Sequence, residues 1–120
     1  MTPVRFLFDQ HTKISLLVGL SHLRPAPDAL RVGQPGAPPF DTPDPDLLIF
    51  CEETRRILVS HDIASMGRHF ADHLAAGRRC WGLALAPQSM PFSLLLDELR
   101  TIALVSSQEE WLDRIEYLPL

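Results

Sequence analysis

Apolar residues along this chain fall into two textures: short runs of three to five, and longer stretches in which they recur every three or four positions. The first texture suits strands and the second suits amphipathic helices. Val4–Phe8 is rich in β-branched and aromatic residues and stops at Asp9, which predicts a first strand. Ile57-Leu58-Val59 lies between Arg55-Arg56 and Ser60-His61-Asp62 and is too short for a helix, so it predicts a strand covered on both faces. Trp81–Leu85, closed by Pro87, predicts another, and Ile115–Leu118 a last edge strand.

Helical spacing fills the intervals. Ile14, Leu16, Leu17, Leu20 and Leu23 predict a helix from His11 to about Leu23, with Asp9 or Thr12 as N-cap. Asp44-Pro45-Asp46 opens a second helix, with Asp44 as N-cap, Pro45 at the first helical position and Asp46 next, and Leu47, Leu48 and Cys51 on its buried side. Ile63, Met66, Phe70 and Leu74 share one face of a third, started by Asp62 or Ser60 and closed by Gly77. Pro91 suits the first position of a fourth, in which Leu94, Leu95, Glu98, Ile102 and Leu104 run to about Val105. Ser107-Gln108-Glu109-Glu110 has capping-box spacing ahead of a short helix that holds Trp111.

Strands alternating with helices at this spacing predict an α/β fold, a three-layer α/β/α sandwich around a mainly parallel central sheet. At 120 residues the chain makes one domain, spanning 1–120. One window breaks the rhythm: seven of the eleven prolines fall between Pro25 and Pro45, with Gly33 and Gly36 among them, which rules out a helix of any length there. Within this proline-rich loop only Leu30-Arg31-Val32 has the character of a short strand. Loops this long in a compact domain are usually functional or mobile.

Composition narrows the function classes. Apolar residues at 46% and charged residues at 22% exclude disordered and fibrous chains. A net charge of −4, with ten arginines and one lysine, argues against a protein that coats nucleic acid without specificity, because such affinity comes from neutralised phosphates. Cys51 and Cys80 stand far apart in no metal-like spacing and read as buried thiols. The apolar run at Val4–Phe8 is too short for a signal-peptide core or a membrane span, so a cytoplasmic location without a membrane partner is expected. There is no Gly-rich phosphate loop, G-x-S-x-G elbow or CxxC pair.

The candidate chemistry is acidic. If the strands are parallel, Asp9 and Asp62 leave the same edge of the sheet, and Asp44, at the start of the helix leading into the second of those strands, joins them if the proline loop crosses back over that edge. Like charges at one rim raise one another's pKa unless a cation offsets them. Clusters of oxygen ligands select hard ions such as Mg²⁺ or Mn²⁺, which orient water and stabilise charge developing on a phosphodiester. The competing reading makes each of the three aspartates a helix cap, a place that Ser, Thr or Asn would fill equally well.

Arg5-Phe6-Leu7-Phe8-Asp9, Pro43-Asp44-Pro45-Asp46-Leu47-Leu48, Arg56-Ile57-Leu58-Val59-Ser60-His61-Asp62 and the later Gly82-Leu83 strand resemble a short bacterial PIN-like family, a branch of the PIN nuclease superfamily, over nearly the whole chain. The resemblance implies a PIN-like sandwich whose acidic pocket is formed by Asp9, Asp44 and Asp62, with Mg²⁺ or Mn²⁺ as cofactor and RNA as substrate. It also implies a small antitoxin protein as partner, since many members of the superfamily are toxins of toxin–antitoxin pairs. Two departures stand out. His61 occupies a position that is often arginine, and no residue matches the usual fourth acid, for which Asp46, Asp72 and Asp97 are the candidates.

Further residues bear on substrate. His61, Arg68, Arg78 and Arg79 are candidates for substrate contacts, the arginines because guanidinium matches phosphate geometry. His11 and His61, each close to a rim aspartate, allow a mixed His/Asp site for Zn²⁺ or Mn²⁺, and His69 and His73, four apart with Asp72 nearby, allow a metal pair on one helix face. An exposed part of the Leu94–Val105 helix would suit an antitoxin helix or a second copy in a homodimer. Two functions follow: a metal-dependent ribonuclease, or a non-catalytic PIN-like interaction module with a degenerate acidic site.

Overall fold

The short apolar runs do form strands, and the periodic stretches form helices. The structure, a computed structural model, describes residues 2–120. Five strands, β1 (Arg5–Phe8), β2 (Asp28–Arg31), β3 (Ile57–Ser60), β4 (Leu83–Leu85) and β5 (Ile115–Tyr117), make one sheet in the order β2-β1-β3-β4-β5. Every pairing is parallel. Four helices, α1 (Ile14–Ser21), α2 (Asp44–Thr54), α3 (Ile63–Ala75) and α4 (Phe92–Val105), and a 3₁₀ turn at Gln108–Trp111 connect them.

Alternation along the strands divides the core in two. Phe6, Phe8, Ile57, Val59 and Ala84 face α1 and α4, whereas Leu7, Leu58, Leu83 and Leu85 face α2 and α3. Both faces are thus covered by helices, which is why the central strands read as continuous apolar runs instead of alternating ones. All are 1% exposed or less, and each Leu, Ile, Val or Phe among them contributes on the order of 1.5–3 kcal/mol of transfer free energy.

The connections carry a topological consequence. β3→α3→β4 and β4→α4→β5 advance in the same direction across the sheet, yet α3 and α4 lie on opposite faces. The last crossover therefore has the opposite hand to the one before it, and crossovers of this kind are right-handed in nearly all cases. α4 instead returns across the sheet to pack on α1, where Gly19 faces it: a Cβ at Gly19 would come within 2.8 Å of the Leu96 side chain. Gly82 makes a second close approach, since it holds φ +124° beneath Trp111 and a Cβ there would meet that side chain at 2.9 Å.

Several boundaries differ from the sequence reading. α1 begins at Ile14 with Lys13 as N-cap, and neither Asp9 nor Thr12 caps it, because Asp9 is occupied in the preceding turn. β2 begins at Asp28, pulled into register by its pairing with β1. In α4 the buried stripe is Leu95, Leu96, Leu99 and Ile102, while Leu94 and Leu104 are exposed, because the helix is rotated to seat on α1. Pro91 is the N-cap of α4 and Phe92 its first residue. The capping box at Ser107–Glu110 forms as expected, and Cys51 and Cys80 are buried free thiols.

The amino ends of the strands are tied by ion pairs. Arg56, buried just ahead of β3, and Arg5 of β1 both bind Asp28 at the start of β2, at 2.8 and 3.1 Å, and Arg56 also donates to the Phe6 carbonyl. Beside β4, Arg79 binds Asp113 at 2.7 Å and Arg78 binds Glu52 at 3.2 Å. His73 Nε2 lies 2.8 Å from the Arg79 carbonyl oxygen and 3.2 Å from the Glu52 carboxylate, so this nitrogen carries a proton.

Candidate active site

The carboxyl ends of the strands carry the sequence-predicted acids. β1 leads through α1 to β2 on one side, and β3 leads through α3 to β4 on the other, so the neighbouring strands β1 and β3 form the point where the chain direction switches. Open parallel sheets leave a crevice at such a point. Asp9 follows β1 and Asp62 follows β3, and the Asp9 amide donates to the Val59 carbonyl across the seam. Because β2 is parallel to β1, α2 must begin at this same edge in order to cross over to β3, and Asp44 begins it.

The result is a cleft of about 420 Å³ bordered by Asp9, Asp41, Asp44 and Asp62 and floored in part by Val32 and Leu47. No arginine or lysine among the described residues lines it. Asp9 Oδ1 accepts from the His11 amide at 3.0 Å and the Thr12 hydroxyl at 3.1 Å, and Oδ2 accepts from the His61 amide at 3.3 Å. Asp62 is the N-cap of α3, accepting from the Ser65 amide at 3.2 Å and from the Ser65 hydroxyl. Asp41 sits at φ +64°, a conformation Asp tolerates, with its amide and carboxylate both bound to Gln10.

Asp44 is not the cap that its sequence context suggests. Pro43 is the N-cap of α2, no side chain caps it, and the Asp44 carboxyl is left to face the cleft. Burial first, and then the charge of Asp62, push Asp44 above the ordinary carboxylate range; Asp9 adds the same sign, and His69, 4.0 Å away, opposes it. Asp62 moves the other way, held down chiefly by the Ser65 hydroxyl against the opposing effect of burial. The two carboxyls therefore shift in opposite directions within one cleft.

The donor chemistry of this set, all oxygen and anionic, suits a hard dication. Its spacing does not: among the described residues no group of three or more His, Cys, Asp or Glu side chains is arranged to hold a metal ion. Asp9 and Asp62 spend part of their capacity on their own turns, although a carboxylate offers about four lone-pair directions and some remain.

The other candidates scatter. Asp46 is exposed in the first turn of α2, Asp72 is exposed on α3 and Asp97 pairs with Arg100 on α4, so none borders the cleft. Asp41 does, as a fourth acid that the sequence reading missed; its only signal was a polar residue within a proline loop that returns over the strand ends. Arg78 and Arg79 lie at the opposite edge of the sheet, bound to Glu52 and Asp113. Arg68 is exposed on α3 and borders no cleft described here. His69 and His73 do not act as a pair: the first lies by Asp44 and the second is buried against Glu52, which also removes His73 from any exposed polar helix face. His61 turns away from the acids, its Nδ1 3.0 Å from the Ala86 carbonyl oxygen.

Comparison of the chain with protein-family models, with curated proteins and with solved structures returns no match. No helix among the described residues is long and apolar enough to cross a membrane.

Proposed function

We propose that this protein is a PIN-like ribonuclease dependent on Mg²⁺ or Mn²⁺, in which Asp9, Asp44 and Asp62 form the catalytic set and Asp41 supports it. One observation carries the reading: three different connections deliver these acids to a single cleft at the switch point of a parallel sheet, and no arginine or lysine among the described residues lines that cleft. The upward shift of Asp44 adds to it, since burial and the neighbouring carboxylates disfavour its charge and a dication would relieve that repulsion. A bound dication would supply water activation and charge stabilisation. Asp9, Asp44 and Asp62 are not gathered into a metal-holding group in this structure and would have to close on the ion to hold it.

RNA as substrate, a cytoplasmic location, and a small antitoxin protein or a second copy as partner belong to the same proposal. Leu104 and Val105 of α4, exposed at 64% and 71%, are the apolar residues offered to such a partner. Cleavage of a labelled RNA in Mn²⁺ or Mg²⁺, abolished by chelation, is the test. Asp9→Asn and Asp62→Asn should each lower the rate at least about a hundredfold, the scale of losing one electrostatic partner at a reacting centre, with the fold retained by circular dichroism. Undiminished cleavage in both variants overturns the proposal. The second reading, a non-catalytic interaction module, is favoured by the lack of a three-ligand group among the described residues, by the turn hydrogen bonds of Asp9 and by the capping role of Asp62. It fails if the wild-type protein cleaves RNA and the aspartate variants do not.

A further inference from the structure

Beside the acidic cleft lies a second groove of about 410 Å³, bordered by His11, Lys13, His61, Gln88, Met90 and Phe92. His11 borders both. The two grooves differ in chemistry. The first is lined by carboxylates; the second contains Lys13, the only lysine of the chain, two imidazoles, an amide and an exposed aromatic ring. The side chains of His11, Lys13 and Gln88 are exposed and free to meet a ligand. His61 is held by one nitrogen only. Its Nδ1 faces the Ala86 carbonyl, an acceptor, so Nδ1 carries a proton, and in that tautomer Nε2 is the acceptor.

We infer that this groove binds a nucleotide of single-stranded RNA adjacent to the bond cleaved in the acidic cleft. Phe92, 37% exposed, and Met90 offer a flat apolar surface for a base, the kind of stacking platform that proteins use for single strands. Lys13 supplies, beside the acidic cleft, a positive charge for the backbone phosphate, and His11 lines the passage between the two grooves. Gln88 provides a donor and an acceptor for a base edge. The Nε2 acceptor of His61 suits a 2′-hydroxyl donor, the group that separates RNA from DNA. A duplex is disfavoured because its bases are already stacked and do not expose a face to Phe92.

This assignment rests on the acidic cleft being the cleaving site, but binding is measured apart from cleavage. In EDTA, a fluorescent single-stranded RNA octamer is titrated into the full chain by anisotropy, beside a DNA octamer of the same sequence and an RNA duplex. The single-stranded RNA should bind tightest. Phe92→Ala should weaken it roughly tenfold, within the range for loss of one stacked base, and Lys13→Gln should reduce the slope of log affinity against log salt by about 0.7. Lys13 is solvent-facing, so Lys13→Gln should melt with the wild type. Phe92 is 37% exposed, so Phe92→Ala should melt lower. Phe92→Leu, which keeps much of the packing without the flat ring, should lose RNA affinity while melting close to the wild type.

No binding by the wild type, or unchanged binding in the Phe92 and Lys13 variants, overturns the assignment. Equal affinity for the DNA octamer overturns the His61 contact. RNA binding that depends on Phe92 and Lys13 without any metal-dependent cleavage leaves the groove assignment standing and removes the nuclease reading. Cleavage with a KM indifferent to these variants does the reverse.

Discussion

The two edges of the sheet use carboxylates in opposite ways. At the amino edge, Asp28 meets Arg56 and Arg5, and Asp113 meets Arg79. The Arg56 hydrogen bond is the main reason that Asp28 sits below the ordinary carboxylate range. For Asp113 burial pulls upward, but the Cys80 amide and Arg79 outweigh it and the net shift is down. At the carboxyl edge, Asp9, Asp41, Asp44 and Asp62 border one cleft without an arginine or lysine among the described lining residues, and Asp44 is shifted up. The difference separates acids that hold the fold from acids whose charge is left for something outside the chain. A domain with 15 acidic and 11 basic residues need not have arranged them so unevenly.

The largest expected effect breaks the compensated edge. Arg56→Met removes a buried guanidinium that joins Asp28 to the Phe6 carbonyl, and urea unfolding should show a loss of about 2–3 kcal/mol, less than for a fully buried pair because Asp28 is half-exposed. A loss below about 0.5 kcal/mol would mean that packing alone holds that edge. Next in size, Mn²⁺ at a hundredfold excess over its dissociation constant should stabilise the wild type by about 2.7 kcal/mol. Thermal melting with and without Mn²⁺ checks this, and the shift should vanish when Asp9, Asp44 and Asp62 are all changed to Asn. A shift that survives the triple change places the ion elsewhere.

The smallest effect compares single acids across the two edges. Asp44 has a raised folded pKa, so its stabilising contribution is complete below the unfolded value of 3.8 and is lost as pH rises through the folded value. Asp44→Asn should therefore be as stable as the wild type or more stable at pH 7, by under about 1 kcal/mol, and the gap should close as pH falls. Asp28 has a lowered folded pKa, so its contribution is present above 3.8 and fades as pH falls through the folded value. Asp28→Asn should be the less stable protein at pH 7, and its deficit should shrink in acid. Urea midpoints across pH 3–7 for both variants test the pair of signs, and two gaps of the same sign would dissolve the distinction between the edges.

Much of this was legible in the chain because each signal was local. Ile57-Leu58-Val59 is apolar at consecutive positions because helices cover both faces of β3, and Ser107–Glu110 forms its capping box from residues three apart. Asp62 caps α3 as its position before Ile63 suggests. The misreadings came where a distant partner decided the outcome. Leu104 has the right spacing for a core residue yet is exposed, because α4 turns its Leu95–Leu99–Ile102 stripe toward α1. Arg78 and Arg79 look like phosphate contacts until Glu52 and Asp113, far away in sequence, engage them.

The sequence by itself determined which segments are strands and helices, that they alternate in one α/β domain, and that acids stand directly after two of the strands. Those properties depend on period, caps and turn residues within a few positions of one another. Only the tertiary structure decided that β1 and β3 are neighbours, that the proline loop carries Asp41 and Asp44 to the same rim as Asp9 and Asp62, and that α4 crosses to the opposite face from α3. Strand order and the face each helix covers are set by long-range burial, which no local pattern encodes.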